Sequence, residues 1–118
     1  SDAEIQTETK AQGQVADAVF LLGTWQRPDG GYLLVVEGFS KDGQVRAFYY
    51  NPNPIHVAES RFSRVEGQLR LSVELRDTNY PGSRYDLVYD PTEDLLAGSY
   101  FQAVARETYA VLFERVER

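Results

Sequence analysis

The stretch Gly67-Gln-Leu-Arg-Leu-Ser-Val-Glu-Leu-Arg76 alternates apolar and polar side chains after its glycine, without an exception. Its apolar residues are Leu69, Leu71, Val73 and Leu75. Side chains of a β-strand point alternately to its two faces, so a period of two predicts a strand with one face in a core and the other in water. The fold is therefore expected to be built from β-strands.

Clusters of turn-forming residues occur at short intervals along the chain, on both sides of this strand. Gly and Asn tolerate positive φ and Pro presets φ at a turn corner, so clusters of these residues separate strands. Short connections make each strand antiparallel to the one before it, and closing such a sheet removes its unpaired edges. The pattern predicts an all-β fold, an eight-stranded antiparallel up-and-down β-barrel, with a two-sheet sandwich as the alternative. The predicted strands are 21–27, 31–39, 44–50, 55–65, 67–76, 83–89, 95–104 and 107–116.

The remaining organisation is that of one domain, as expected for a chain of 118 residues. Residues 1–14 are polar and charged, which predicts a loosely ordered N-terminal tail ahead of a barrel domain over 15–118. The spacing of Val15, Ala18, Val19 and Leu22 suits one face of a short helical turn, and this turn is expected to lead into the first strand.

Composition excludes several functional classes. The chain has no cysteine and a formal net charge of −6, which disfavours thiolate metal sites, disulfides and nucleic acid as a partner. No apolar run approaches the roughly 20 residues that span a bilayer, so no transmembrane segment is predicted. No metal site or cofactor is expected either, because the carboxylates of Asp90–Asp94 read as a solvated turn and match no calcium loop.

Two further expectations concern location and assembly. The chain contains no methionine, so Ser1 is interpreted as a processed end, and we expect an exported protein, periplasmic or secreted; a trimmed cytosolic protein is the alternative. Residues 31–36 and 95–104 are apolar on both faces, which predicts a homodimer through these walls, or cover by the N-terminal segment.

The first strand carries a family resemblance. Gly23-Thr24-Trp25 resembles the Gly-x-Trp signature of the calycin barrels, which include lipocalins, fatty-acid-binding proteins and avidins. The resemblance implies that Trp25 plugs the closed end of a lipocalin-like or avidin-like barrel and packs against a basic residue of the last strand, for which Arg115 is the candidate and Arg118 the second. The chain departs from avidins in having a single tryptophan, which disfavours biotin as the ligand.

The eight tyrosines and six phenylalanines predict an apolar wall with hydroxyls that orient a ligand. We expect non-catalytic binding of a small, mostly apolar or aromatic molecule in the barrel. The candidate ligand-binding residues are Tyr49, Asn51, Arg84, Tyr85, Tyr89, Tyr100 and Phe101. Each aromatic residue has the alternative role of simply filling the core. A protein-interaction or inhibitor-like module, with a filled barrel and active loops at 51–54 and 77–82, is the alternative function.

Two observations leave the position of the mouth open. Residues 76–82 are expected to form a long connection between the fifth and sixth strands. Strand counting places it at one end with the rigid Asn51–Pro54 loop and the Pro28–Gly31 turn, which favours the mouth there. The calycin pattern, however, places Trp25 near the closed end, and Trp25 precedes the Pro28–Gly31 turn by only a few residues. An enzyme that uses a tyrosine and His56 as acid and base is the least favoured reading, because no second histidine or cysteine supports His56.

Overall fold

The computed structural model describes residues 18–117, with side chains described as far as Val116. Over these residues the fold is all-β, and one 3-10 helix, Val19–Leu21, precedes nine strands. The predicted tail and the first half of the predicted helical turn lie outside the described residues. The strands are β1 (Gly23–Gln26), β2 (Leu33–Phe39), β3 (Val45–Tyr50), β4 (Pro54–Ile55), β5 (Val57–Val65), β6 (Gln68–Asp77), β7 (Tyr80–Asp90), β8 (Leu95–Gln102) and β9 (Glu107–Glu117).

All nine strands belong to one antiparallel sheet, ordered β4-β3-β2-β1-β9-β8-β7-β6-β5. Its edge strands, β4 and β5, follow each other in the chain and are separated only by His56. The sheet is not closed by a continuous ladder. In the described part of the chain, β5 meets the start of β3 through the Gln44–Arg61 bridge and through the Phe62 N–H, which donates to the Gly43 carbonyl oxygen at 2.8 Å.

The prediction of antiparallel all-β structure is confirmed, but the number of strands is nine rather than eight. The predicted segment 55–65 is divided at His56: Ile55 pairs with β3 through Tyr49, whereas Val57 pairs with β6 through Leu75. The His56 carbonyl oxygen accepts from the Arg76 N–H at 3.0 Å. The chain therefore changes pairing partner at His56, a break that the composition of the segment does not reveal.

The predicted long connection at 76–82 is also wrong. Asp77 pairs with Tyr80, so β6 and β7 are joined by the two residues Thr78 and Asn79, and Asn79 adopts the positive φ of 69° that asparagine tolerates. Leu75 pairs with Ser83 and Arg76 with Pro81, which leaves Gly82 as the extra residue of a β-bulge at φ 100°. Pro81 and Gly82 therefore lie within a strand, although they look like turn residues.

The buried side chains form one core cluster on the inner face of the sheet. The alternation that defined the Leu69–Leu75 segment is borne out, because all four of its apolar residues are buried. The 3-10 helix adds Leu21 to the core, and the Trp25 indole N–H donates to the Leu21 carbonyl oxygen at 2.9 Å. Within residues 18–117, no helix has the length and apolarity to cross a membrane.

Candidate functional site

Polar and aromatic side chains meet at two opposite ends of the core. We call one the tyrosine end and define it by Arg27, Tyr32, Tyr49, Tyr85 and Tyr100. It lies beside the connections that follow β1, β3, β6 and β8. The other is the tryptophan end, which lies beside the 3-10 helix and the β7–β8 turn and comprises Leu21, Trp25, Tyr89, Asp94 and Arg115.

Arg27 is a charged residue buried at the tyrosine end. Its Nε and Nη2 donate to the two carboxylate oxygens of Asp29 at 2.9 and 2.5 Å, and its Nη1 donates to the Tyr85 hydroxyl oxygen at 2.9 Å. The guanidinium carbon lies 4.2 Å from the centre of the Tyr32 ring. Burial opposes the charge, but the bonds to Asp29 and Tyr85 outweigh it and raise the pKa of Arg27, so the residue stays cationic.

Tyr85 and Tyr49 form the floor beneath Arg27. Both side chains are fully buried, and their hydroxyl oxygens lie 2.7 Å apart. Burial raises the pKa of Tyr85 to about 12 and moves the pKa of Tyr49 upward as well, so both hydroxyls are neutral at pH 7. The bond between two hydroxyls uses one of their two hydrogens, which leaves the second hydrogen for another acceptor.

More polar groups converge around this floor. The Asn51 side-chain amide donates to the Tyr80 hydroxyl at 2.7 Å, and both residues are half-buried. The Tyr100 ring stacks on the Tyr85 ring with centroids 4.4 Å apart, and burial raises the pKa of Tyr100. The tyrosine end thus combines an aromatic surface with neutral hydroxyls, one amide and one buried cation.

A second arginine, Arg115, stabilises the tryptophan end, and its side chain is 10% exposed. The Arg115 guanidinium carbon lies 4.2 Å from the centre of the Trp25 ring, the contact that the calycin resemblance implies. Its Nε donates to Asp94 at 2.7 Å, and its Nη1 and Nη2 donate to the carbonyl oxygens of Leu22 and Phe20. Cation–π contact and backbone bonds therefore tie the last strand to the segment before the first one.

The two sequence arguments about the mouth refer to different ends of the core. Trp25 and Arg27 are two residues apart and share the inner face, yet they belong to different ends. The Trp25 side chain contacts Tyr89 of the tryptophan end, whereas Arg27 contacts Tyr85 of the tyrosine end. A tryptophan at one end is thus compatible with candidate ligand groups at the other.

The candidate residues predicted from the sequence are distributed over three places. Tyr49, Tyr85 and Tyr100 come together, with Asn51 beside them through Tyr80. Tyr89 lies at the tryptophan end, where its hydroxyl donates to Asp94 at 2.7 Å. Arg84 and Phe101 are exposed on the outer face, because they directly adjoin the inward-facing Tyr85 and Tyr100 and alternation turns them outward.

Sequence reasoning missed four members of the arrangement, namely Arg27, Asp29, Tyr32 and Tyr80. The Pro28–Gly31 and Asp77–Gly82 segments were read as turns, so the residues in and beside them were not considered as inward-facing. One signal was present: Arg27 lies two residues after Trp25, and side chains two apart in an extended segment share a face. The pairing of Asn51 with Tyr80 had no such signal, because it joins the loop after β3 to the first residue of β7, 29 residues further along the chain.

Two other places in the fold were considered as sites, His56 and a groove at the tryptophan end. The His56 backbone N–H donates to the Asp77 carboxylate at 2.9 Å, and no group of His, Cys, Asp and Glu among the described residues is arranged to hold a metal ion. A surface groove of about 450 Å³ at the tryptophan end is lined by Phe20, Leu69, Tyr89 and Pro91, among others. Arg64, Gln68 and Asp90 also line this groove, and the Tyr89 hydroxyl already donates to Asp94.

Comparison with known proteins identifies no relative. No protein-family model, no curated protein and no solved structure matches the chain. The arrangement of residues at the tyrosine end is therefore the basis for a functional hypothesis.

Proposed function

We propose that the protein is a non-catalytic binding protein that holds a small aromatic molecule at the tyrosine end. The observation that carries the proposal is the convergence of several tyrosines, one amide and one buried arginine at one end of the core. Aromatic rings supply contact area and stacking, and a few fixed polar groups orient the bound molecule, which is the usual chemistry of small-molecule sites.

The burial of the floor defines where the molecule would lie. Tyr49 and Tyr85 are 1% and 0% exposed, so a ligand reaches them only after passing the half-buried side chains above them. Tyr32, Tyr80 and Asn51 are half-buried and form that rim. The proposed molecule therefore rests among the rim residues, with the Tyr49–Tyr85 pair and Arg27 beneath it.

The proposal includes a barrel-like, lipocalin-like curvature of the sheet. Two features support it: the edge strands β4 and β5 are joined directly at His56, and β5 reaches the start of β3 at the Gln44–Arg61 bridge. In a sheet curved in this way, side chains from β3, β7 and β8 converge on one interior with Arg27, the residue after β1, as the contacts of Arg27 and Tyr85 require.

Recognition of a protein partner through the same end is the second candidate. It is favoured by the complete burial of Tyr49 and Tyr85, because a filled interior leaves the loops as the accessible surface. The Asn51–Pro54 loop is suited to this role, since the Asn51 N–H donates to the Asn53 carbonyl oxygen at 3.0 Å and Pro restricts the backbone.

Calorimetric titration with 2-naphthamide, a neutral planar aromatic amide, tests the proposed function. We expect binding to the wild-type protein and about tenfold weaker binding to Tyr80→Phe, which loses the hydroxyl bonded to Asn51. Tyr50→Phe is the matched control, because Tyr50 adjoins Tyr49 but lies on the opposite face of β3. No binding to the wild type, or equal binding to all three proteins, would refute the proposal.

Material purified from the native host separates the two candidates. Native mass spectrometry would find a retained small molecule if the ligand proposal holds, whereas a protein that co-elutes in size-exclusion chromatography would support the second candidate.

We also propose that the protein is exported and that it forms a homodimer. Leu33 and Val35 are half-buried and Phe101 is exposed, and all three belong to the walls from which a homodimer was predicted. Sedimentation of the wild type beside Phe101→Ser tests the dimer. Fractionation of host cells tests export, since a protein confined to the cytosolic fraction would contradict it.

A further inference from the structure

We infer that the Arg27 guanidinium is a recognition site for the carboxylate of a planar aromatic acid, and that the Asp29 side chain occupies this site in the unliganded protein. The inference rests on the proposed function and specifies its ligand class. The ligand carboxylate would replace Asp29 on Arg27, while the aromatic part would lie against the tyrosine rings.

The geometry of the ion pair is that of carboxylate recognition. Arg27 Nε donates to Asp29 Oδ1 at 2.9 Å, and Arg27 Nη2 donates to Asp29 Oδ2 at 2.5 Å. Two parallel N–H···O bonds fix both the distance and the plane of a carboxylate, which is why arginine is favoured where such groups are recognised. A ligand carboxylate placed where the Asp29 carboxylate lies would satisfy the same two donors.

The two partners of the pair differ in exposure. The Arg27 side chain is 10% exposed, whereas the Asp29 side chain is 60% exposed. The cation is therefore embedded in the protein, and its anion is held at the border with solvent. An exposed carboxylate regains hydration when it leaves, so its replacement by another carboxylate has a small cost.

Arg27 has three contacts besides its ion pair with Asp29. Its Nη1 donates to the Tyr85 hydroxyl at 2.9 Å, and its guanidinium lies over the Tyr32 ring at 4.2 Å and near the Tyr100 ring at 5.8 Å. These contacts come from three separate segments of the chain. These contacts fix the orientation of the guanidinium N–H groups, which lowers the conformational entropy that is lost when Arg27 binds a new partner.

The local backbone allows Asp29 to leave by a side-chain rotation. Arg27, Pro28, Asp29 and Gly30 form a turn, in which the Gly30 N–H approaches the Arg27 carbonyl oxygen at 3.4 Å. Gly30 lies directly beneath the Tyr32 ring, where a Cβ atom would collide with it. Because Pro28 and this packing restrain the backbone, rotation of the Asp29 side chain is the simplest movement that frees Arg27.

The test compares 2-naphthoate with its neutral counterpart 2-naphthamide by calorimetric titration of the full chain at pH 7. In Asp29→Asn, which lacks the competing charge, we expect 2-naphthoate to bind about tenfold more tightly than in the wild type, with the affinity for 2-naphthamide changed less than twofold. Asp42→Asn is the control for net charge, because Asp42 is an exposed turn carboxylate beside Ser40 that makes no contact with the tyrosine end.

The outcomes separate this inference from the proposed function. If 2-naphthamide binds the wild type but Asp29→Asn binds 2-naphthoate equally or more weakly, Asp29 positions Arg27 and the inference is wrong while the proposed function stands. A similar gain in Asp29→Asn and Asp42→Asn would also overturn it, since net charge alone would explain the effect. If neither compound binds any variant, both proposals fail.

Discussion

The two ends of the core contain the same combination of groups in different settings. Arg115 and Arg27 are each buried to the same extent, each pairs with one aspartate, and each lies 4.2 Å from the centre of an aromatic ring. Arg115 directs its remaining donors to the backbone of Phe20 and Leu22. Arg27 directs its remaining bond to a side-chain hydroxyl, that of Tyr85.

The two aspartates also differ, both in exposure and in the number of their hydrogen-bond donors. Asp94 is 31% exposed and also accepts from Tyr89, whereas Asp29 is 60% exposed. Backbone partners make the tryptophan end a structural joint between the start and the end of the sheet. At the tyrosine end, Arg27 bonds instead to a side-chain hydroxyl and to a largely exposed carboxylate, and the proposed binding site depends on this difference.

Removal of each arginine should give the largest contrast between the ends. Arg115→Met removes the donors to two backbone carbonyls and two of the bonds to Asp94, and we expect it to lower the free energy of unfolding by about 3 kcal/mol. Arg27→Met leaves Tyr85 bonded to Tyr49 and Asp29 in water, so the expected loss is about 1 kcal/mol. Urea denaturation followed by circular dichroism measures both, and equal losses would contradict the assignment of different roles.

High pH should weaken the tyrosine end selectively. The pKa of Tyr85 is about 12 in the folded protein against roughly 10 in an unfolded chain. A raised folded-state pKa contributes stability that is complete below pH 10 and is lost as the pH rises through 12, an effect of about 3 kcal/mol. Absorbance at a wavelength specific for tyrosinate should show a late-titrating class that Tyr85→Phe diminishes; a single transition near the ordinary pKa would refute the claim.

Removal of one buried hydroxyl should have a smaller effect. Tyr85→Phe deprives both Arg27 and Tyr49 of a partner while preserving the ring contacts, so we expect a loss of about 1.5 kcal/mol. Tyr50→Phe, on the opposite face of the same sheet, should change stability by less than about 0.5 kcal/mol. Thermal unfolding of the two variants side by side tests this, and matching melting temperatures would show that the hydroxyl network contributes little.

The smallest contrast concerns the two carboxylates. Asp94→Asn should cost about 1 kcal/mol, because Asp94 receives two bonds from Arg115 and one from Tyr89, whereas Asp29→Asn should cost less than about 0.5 kcal/mol. The bond from Arg27 lowers the pKa of Asp29, so its contribution is present above the unfolded value of roughly 3.9 and is lost as the pH falls through the folded value. A larger loss in Asp29→Asn, measured by urea denaturation at pH 7, would reverse the proposed difference between the ends.

The sequence was informative where one physical rule dominated. Strict alternation located β6, and turn chemistry located most strand boundaries to within two or three residues. It misled where two rules competed. Gly82 is a bulge residue within β7 rather than part of a turn, because bulges and turns both select a glycine with positive φ.

The sequence predicts the tyrosines of the candidate site but not its arginine. Composition and strand position singled out Tyr49, Tyr85 and Tyr100, and alternation then decides that Tyr49 faces inward while Tyr50 does not. Arg27 was not singled out, although it ends the predicted strand 21–27, because a charged side chain at the end of a strand is usually solvated. Its burial depends on Tyr85, 58 residues away, and such a partner becomes evident only from the strand order.

The central claim is that the tyrosine end, rather than the tryptophan end, binds small aromatic molecules, and an NMR titration tests it most directly. Backbone amide spectra of the wild-type protein would be recorded with increasing 2-naphthamide. We predict that the largest shifts fall on Tyr32, Asn51, Tyr80 and Tyr100. Shifts centred instead on Phe20 and Tyr89, which line the groove at the tryptophan end, would contradict the claim.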